Sequence, residues 1–249
     1  MDKSLQTVKF GRIPSPYDER DFRLVDFMPG PFVRALTAPL STTKSWIFPR
    51  EALNQGTTPH CVGFSMADFG ICEPTFDMYT TKDGHHFYEL CKQIDGYKGD
   101  GSTVRAAAKV LKNLGRIPAY AFASTVEEIK WWLLNKSPVI MGTIWTQGMV
   151  SPDAGGVIRA TGNVLGGHAY LLNGWDGTHF LGVNSWGPYW GVNGKFKISQ
   201  ADLERIFRQG GEAMTAVEVD TPDGKTPPPA PQPEPKPEPG YKKRNKSKK

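Results

Sequence analysis

Three short blocks, far apart in a chain of 249 residues, carry parts of one chemistry, and any fold of this chain must bring them to one place. They are Asn54-Gln55-Gly56 running on to Cys61, then Gly167-His168-Ala169, then Asn184-Ser185-Trp186-Gly187. A cysteine attacks as its thiolate, and an ordinary thiol pKa of about 8.5 leaves little thiolate at neutral pH. An imidazole beside it can take the proton and hold the pair as thiolate and imidazolium. A third group must fix the ring, and an asparagine carbonyl can accept the ring N–H without adding a second negative charge. The tetrahedral adduct of acyl transfer also needs donors aimed at its oxyanion. The Gln55 amide and the backbone N–H of Cys61 can supply two. Alone, Cys61 reads as a small buried residue, His168 as a satisfied core histidine, Asn184 as a turn former and Gln55 as a polar loop residue. Their order and local settings make a cysteine hydrolase the leading reading.

The local settings follow from periodicity. Residues 61–71 pattern as a helix, with Val62, Met66 and Phe69 spaced by four and three on one face. Thr57 to His60 forms the entry loop, so Cys61 falls in the first turn, where the helix dipole and free N–H groups favour a thiolate. His168 enters a strand after two glycines, which places it on a rim with open approach. Asn184 ends the strand Phe180–Val183. Helices are also expected over Gly84–Tyr97, Ser102–Leu114 and Val126–Leu134, the last capped by Ser124 or Thr125. Strands are expected over Val139–Trp145, Ala169–Asn173, Thr178–Asn184 and Lys195–Ser199. Helices in the first half and strands in the second imply an α+β architecture of two lobes with a cleft between them.

The ends of the chain read differently. Residues 1–45 are weakly periodic and broken by Pro14, Pro16, Pro29, Pro31 and Pro39, as expected of an extended arm. Within it, Pro16 to Phe22 mixes charge with aromatics and could dock as a clasp. Residues 221–249 hold nine prolines, eight Lys/Arg and three Asp/Glu, with no Val, Ile, Leu, Met, Phe or Trp. Such a segment cannot bury enough apolar surface to offset its ordering entropy. It reads as a polyproline-like tether with a basic tip. The formal charge of +5 resides there, since residues 1–220 balance at 22 of each sign. The basicity is therefore no sign of a nucleic-acid-binding domain. The domain itself is assigned to residues 46–220.

Three cysteines (Cys61, Cys72 and Cys91), with no Cys-x-x-Cys pair, argue against a disulfide framework and a structural zinc site. No cofactor or metal is expected. No apolar run is long enough for a transmembrane helix, and the first residues lack the apolar core of a secretory signal. The expectation is a monomer in the cytoplasm, of bacterial or phage-like origin, in the host cytoplasm or a virion.

These blocks resemble the papain-like cysteine peptidases. The run Asn184-Ser185-Trp186-Gly187 followed by Trp190-Gly191-Val192-Asn193-Gly194 carries most of the likeness, which extends over about residues 45–200. The resemblance implies a papain-like two-lobe fold, with a helical N-terminal lobe and an antiparallel, barrel-like strand lobe. It implies Cys61 as nucleophile, His168 as base, Asn184 as its orienter and Gln55 as oxyanion donor. Trp186 would cover the His–Asn hydrogen bond. Gly99, Asp100 and Gly101 would lie in a Gly-rich wall that binds substrate backbone, together with Ser102. There are departures. The family's Cys-Gly-Ser-Cys-Trp is here Pro59-His60-Cys61-Val62-Gly63-Phe64-Ser65, with His60 expected to face solvent. Cys61 and His168 are 107 residues apart, against about 130–150 in the family, so lobe or loops should be trimmed.

The implied activity is hydrolysis of protein or peptide substrates through a thioester, by a thiol endopeptidase. Two alternatives stand beside it: a catalytically silent papain-like binding module and a peptidoglycan stem-peptide hydrolase. The basic tail could engage an anionic partner.

Overall fold

The computed structural model describes residues 8–30 and 42–218. The tether and basic tip at 221–249, along with Pro31 and Pro39 of the arm, lie outside the described residues.

The helical lobe is built around α1 (Cys61–Ile71), in which all eleven residues are buried. A helix enclosed on every side needs apolar side chains all round, so the stripe of Val62, Met66 and Phe69 is only part of its contact surface. Ser65 satisfies itself by donating to the Val62 carbonyl at 2.8 Å. Asp68 does not, and neither of its carboxylate oxygens has a hydrogen-bond partner among the described residues. Helix α2 (Thr81–Asp95) crosses α1 closely at Gly63, where an added Cβ would lie 2.3 Å from the Gly84 carbonyl oxygen. It begins three residues before the expected Gly84 because Thr80 and Asp83 form a capping box, with the Thr80 N–H 2.7 Å from Asp83 Oδ2. Helix α3 (Val104–Asn113) is capped by Thr103, whose Oγ1 accepts from the Ala106 N–H at 3.0 Å. It buries Val104, Ala107, Ala108 and Leu111 as their spacing requires.

The second lobe is a nine-stranded sheet. Its strands are β1 (Phe22–Arg23), β2 (Lys44–Ser45), β3 (Ala119–Phe122), β4 (Val139–Thr146), β5 (Val157–Ile158), β6 (Val164–Trp175), β7 (His179–Val183), β8 (Lys195–Ser199) and β9 (Glu212–Val217). The order is β1-β3-β9-β4-β6-β7-β8-β5, with β2 beside β6. Pairing is antiparallel except at the two edges, where β1 meets β3 and β5 meets β8 in parallel. Helix α4 (Val126–Asn135) is capped by Thr125 rather than Ser124, and α5 (Gln200–Phe207) follows β8 directly from its cap Ser199.

Alternation along the central strands joins the lobes. On β4, Val139 and Met141 enter one core with Trp145, Phe180 and Phe196, while Ile140 enters the other with Cys61, Val62 and Leu111. On β6, Tyr170 and Leu172 take the first side, Ala169 and Leu171 the second. A sheet covered on both faces has apolar residues at every position of its inner strands. This explains the unbroken apolar run after His168.

Strand β6 begins five residues before the expected Ala169, so His168 lies within the strand. Elements β3, α5 and β9 were not anticipated. They are short, and β9 (Glu-Ala-Met-Thr-Ala-Val) holds its place through pairing with β3 and β4 rather than through its own pattern.

Candidate active site

The loop after Asn54 is tied at its turn, where the Asn54 side chain accepts the Gly56 N–H at 2.8 Å. It then delivers Cys61 as the first residue of α1. The block around Asn184 lies directly against this loop. The Gln55 N–H donates to the Ser185 carbonyl at 2.8 Å, the Gly187 N–H donates to the Leu53 carbonyl at 2.9 Å, and Asn54 bridges Trp186. The Ser185 hydroxyl donates to Gln55 Oε1 at 2.6 Å, which turns the Gln55 amide nitrogen the other way.

His168 faces Thr143 across β4 and β6, and its Nε2 lies 2.8 Å from Asn184 Oδ1. The same oxygen accepts the Ser185 N–H at 2.8 Å, so the asparagine presents its carbonyl to the ring. Nε2 is then the protonated nitrogen and Nδ1 carries the lone pair. Nδ1 is buried and has no hydrogen-bond partner among the described residues. Trp186 lies over this pair with ring centroids 5.0 Å apart at 43°, and Trp145 closes the other side at 4.8 Å.

The rim expected to be open is covered, because the N-terminal arm runs through the site. The Lys9 carbonyl accepts from Gln55 Nε2 at 3.1 Å, an amide that also donates to Thr58 O at 2.6 Å. Phe10 sets its ring edge-on to His168 and to Trp186, at 6.0 and 6.1 Å. The Arg12 N–H donates to the Gly167 carbonyl at 2.9 Å. Ser102 forms a two-bond ladder with the arm, donating to the Gly11 carbonyl at 2.8 Å and accepting from the Ile13 N–H at 2.9 Å. Cys61 and His168 are both fully enclosed.

Enclosure opposes charge on both groups. Burial raises the Cys61 thiol to about 11, against the pull of the backbone amides of Ala169, Gly11, Val62 and Cys61 itself. Burial lowers the His168 ring to about 4, against the Asn184 hydrogen bond. Burial therefore works against both charged forms, the thiolate of Cys61 and the imidazolium of His168.

Residues 99–102, expected to form a Gly-rich wall, are held by side chains of α2 and by the arm. Lys92 Nζ donates to the carbonyls of Gly99 and Gly101, at 2.7 and 2.9 Å, and the Gly101 N–H donates to the Tyr88 hydroxyl at 3.0 Å. Asp100 pairs only with Lys9 at the surface, 3.4 Å apart. Ser102 is the residue whose backbone is turned into the groove. His60 does not face solvent: it stacks on Tyr88 at 3.8 Å and its Nδ1 lies 2.8 Å from His85 Nδ1. Burial, followed by the nearness of His85, lowers its ring to about 4. The clasp at 16–22 docks on α3 through an ion pair between Asp21 and Arg105. Missed in the sequence were Ser185 as the group that orients Gln55, and the arm residues Lys9 to Ile13, which carry no motif.

The family model for papain family cysteine protease matches residues 54–212. A cathepsin B-like cysteine proteinase 4 of Caenorhabditis elegans is 34% identical over 90 residues, which is 34% of this chain and 27% of that protein. A cathepsin Z of Onchocerca volvulus is 27% identical over 145 residues, 55% of this chain and 44% of that one. The chain thus matches less than half the length of these relatives. Among solved structures, xylellain, a cysteine protease from Xylella fastidiosa, superposes with a TM-score of 0.66 at 20% identity, over 85% of this chain and 97% of its own. The proCathepsin B S9 of Trypanosoma congolense superposes at 0.58 and 14% identity, over 86% and 87%. At these identities the superpositions establish the fold.

Proposed function

Because the chain belongs to the papain family of cysteine proteases, we propose that it is a thiol endopeptidase acting on protein or peptide substrates through Cys61, His168, Asn184 and Gln55. The observation that most supports this reading is the 2.8 Å contact from His168 Nε2 to Asn184 Oδ1, with Nδ1 left free of protein partners. That arrangement leaves one ring nitrogen to exchange a proton with the nucleophile. The peptidase domain is residues 46–220, with Lys9 to Ile13 of the arm over its site and the basic tail as a tether for an anionic partner.

In the reaction, the arm leaves the groove and a peptide takes its place. Cys61 Sγ gives its proton to His168 Nδ1 and attacks the carbonyl carbon. A C–S bond forms and the carbonyl π pair moves onto oxygen, where the Cys61 N–H and Gln55 Nε2 hold it. The oxyanion collapses, the C–N bond breaks, and His168 returns the proton to the departing amine. Water then attacks the thioester, passing its proton to His168, and the acid product leaves as the C–S bond breaks. Asn184 keeps the ring in the tautomer these transfers need.

The test is covalent labelling of the whole protein with a peptidyl epoxide, in which the thiolate opens the ring to give a thioether and a hydroxyl. Adduct confined to Cys61, and lost in His168→Ala, is the expected result. Equal labelling of Cys72 and Cys91, or none at Cys61 in a protein whose arm has been loosened, would favour the silent binding module.

A further inference from the structure

His60 and His85 are 25 residues apart and belong to no sequence motif, yet their Nδ1 atoms lie 2.8 Å from each other. Two protonated nitrogens do not approach so closely, so at least one of them presents a lone pair to the other. Neither residue has a part in the chemistry proposed for Cys61, His168, Asn184 and Gln55. Each is delivered by a fixed element. His60 ends the entry loop directly before α1, and His85 lies in the second turn of α2. The two helices cross closely beside the pair, at Gly63 and Gly84.

The rings are held by aromatic packing. His60 stacks on Tyr88 with centroids 3.8 Å apart at 13°, and His85 sets edge-on to Phe64 at 5.0 Å. Tyr88 is itself tied down, since its hydroxyl accepts the Gly101 N–H at 3.0 Å. Both histidines are half-buried, which leaves the pair within reach of water and small ions. The exposed carboxylate of Asp100 adds negative potential at His60. Among the described residues no third histidine, cysteine or acid completes a ligand set with the two rings.

We propose that His60 and His85 form a two-histidine site for a zinc-class divalent cation, which replaces the hydrogen bond between the two Nδ1 atoms and joins the residue before Cys61 to α2. A neutral imidazole nitrogen is a ligand that zinc takes at about 2.0–2.1 Å. Two such bonds at a tetrahedral angle set the nitrogens about 3.4 Å apart. The rings therefore need to part by only about 0.6 Å from their present contact. The ring that carries its proton on Nδ1 passes to the Nε2 tautomer, so both stay neutral and no net proton is released. Water fills the remaining positions. Copper(II) should bind the same nitrogens more tightly, whereas magnesium seeks oxygen ligands and should not bind there. A hydrogen bond that merely joined the loop to α2 would respond to no cation.

The experiment is thermal unfolding of the full-length protein titrated with zinc chloride, with magnesium chloride as the oxygen-seeking control. Zinc should bind saturably and, at about 100 times its Kd, raise Tm by about 5–10 °C. Magnesium should leave Tm unchanged. The gain should persist in Cys61→Ser and in His86→Ala. It should vanish in His60→Phe and in His85→Phe, which keep a ring against Tyr88 and Phe64. His85→Cys should restore it, because a thiolate is also a zinc ligand. No saturable gain in the parent protein, an equal gain with magnesium, survival of the gain in His85→Phe, or no restoration in His85→Cys overturns the proposal. Loss of the gain in Cys61→Ser would move the cation to Cys61 and His168 and overturns it as well. The readout is not turnover, so each of these outcomes leaves the peptidase reading where it stands.

Discussion

The carbonyl oxygen of Lys9 lies 3.1 Å from Nε2 of Gln55, so the amide proposed as an oxyanion donor holds the protein's own main chain. Three residues further on, Arg12 buries its guanidinium against Glu212. Between these two anchors the arm crosses Cys61, the proposed nucleophile, and the Gly11 amide bears on its sulfur. Access to the site is thus governed by a few contacts of residues 9–15, among them the Ser15 N–H on Glu212 at 3.2 Å.

Arg12→Ala removes one partner of an enclosed ion pair, a change that costs about 2–5 kcal/mol. The arm should loosen, and alkylation of Cys61 by a small reagent such as iodoacetamide should accelerate by about 10-fold or more. Peptide-mapping mass spectrometry over time measures the rate at each cysteine. A Cys61 rate equal to that of the parent protein would show that the arm is held elsewhere.

Gln55→Ala removes one oxyanion donor. Measured in the Arg12→Ala background, kcat on a small peptide should fall by ~10²-fold with a smaller change in KM. An unchanged kcat would reduce Gln55 to a loop residue bound to Ser185 and Lys9.

His168 and His60 are held near 4 by burial, below the ordinary value of 6.5. Between pH 6.5 and 4 the unfolded chain takes up protons on these rings that the folded protein refuses. Stability is therefore full above 6.5 and falls as the pH drops through that window, by at most about 1.4 kcal/mol per pH unit for the enclosed His168. Urea denaturation at pH 7, 6 and 5 measures the slope, and His168→Gln should flatten it. Identical slopes in the two proteins would remove His168 as a cause.

Asp68 is enclosed in α1 with no partner, and burial raises its carboxyl well above the ordinary value. An acid shifted this way contributes fully only below its unfolded pKa of about 4 and weakens the fold as the pH rises. Asp68→Leu, which keeps the same branched shape of four heavy atoms, should stabilise the protein at pH 7 by about 1–3 kcal/mol, read as a higher denaturation midpoint with an unchanged slope. A lower midpoint would mean that the cavity binds the carboxyl in a way the protein partners do not account for.

The legible parts of the fold were those where local pattern and tertiary demand coincide. Helix α1 was readable because Val62, Met66 and Phe69 repeat at helical spacing, and β8 was readable because Lys195 to Ser199 alternates as a strand with one buried face should. Helix α2 was misplaced at its start because its capping box lies in the polar run Thr80 to Asp83, outside the apolar pattern. Strand β9 was missed because Glu212 to Val217 has no strong signature and is held by its two neighbours. Of the site, Gln55, Cys61, His168 and Asn184 stood in blocks whose chemistry could be named from their residue types. Their covering could not be: Lys9 to Ile13 form no motif and act through backbone groups, which every residue possesses.

By itself the sequence determined which side chains can do thiol chemistry and that they must converge, because a cysteine, an imidazole and the group that orients it work only within hydrogen-bond reach of one another. Only the tertiary structure decided the state in which they are held. Whether Cys61 is a thiolate or a neutral thiol depends on the water around it, and the arm excludes that water. The arm is held over the site in part by Arg12 on Glu212, two hundred residues apart in the chain. Their meeting is set by the order of β9, β4 and β6, a relation of strands that local sequence does not carry.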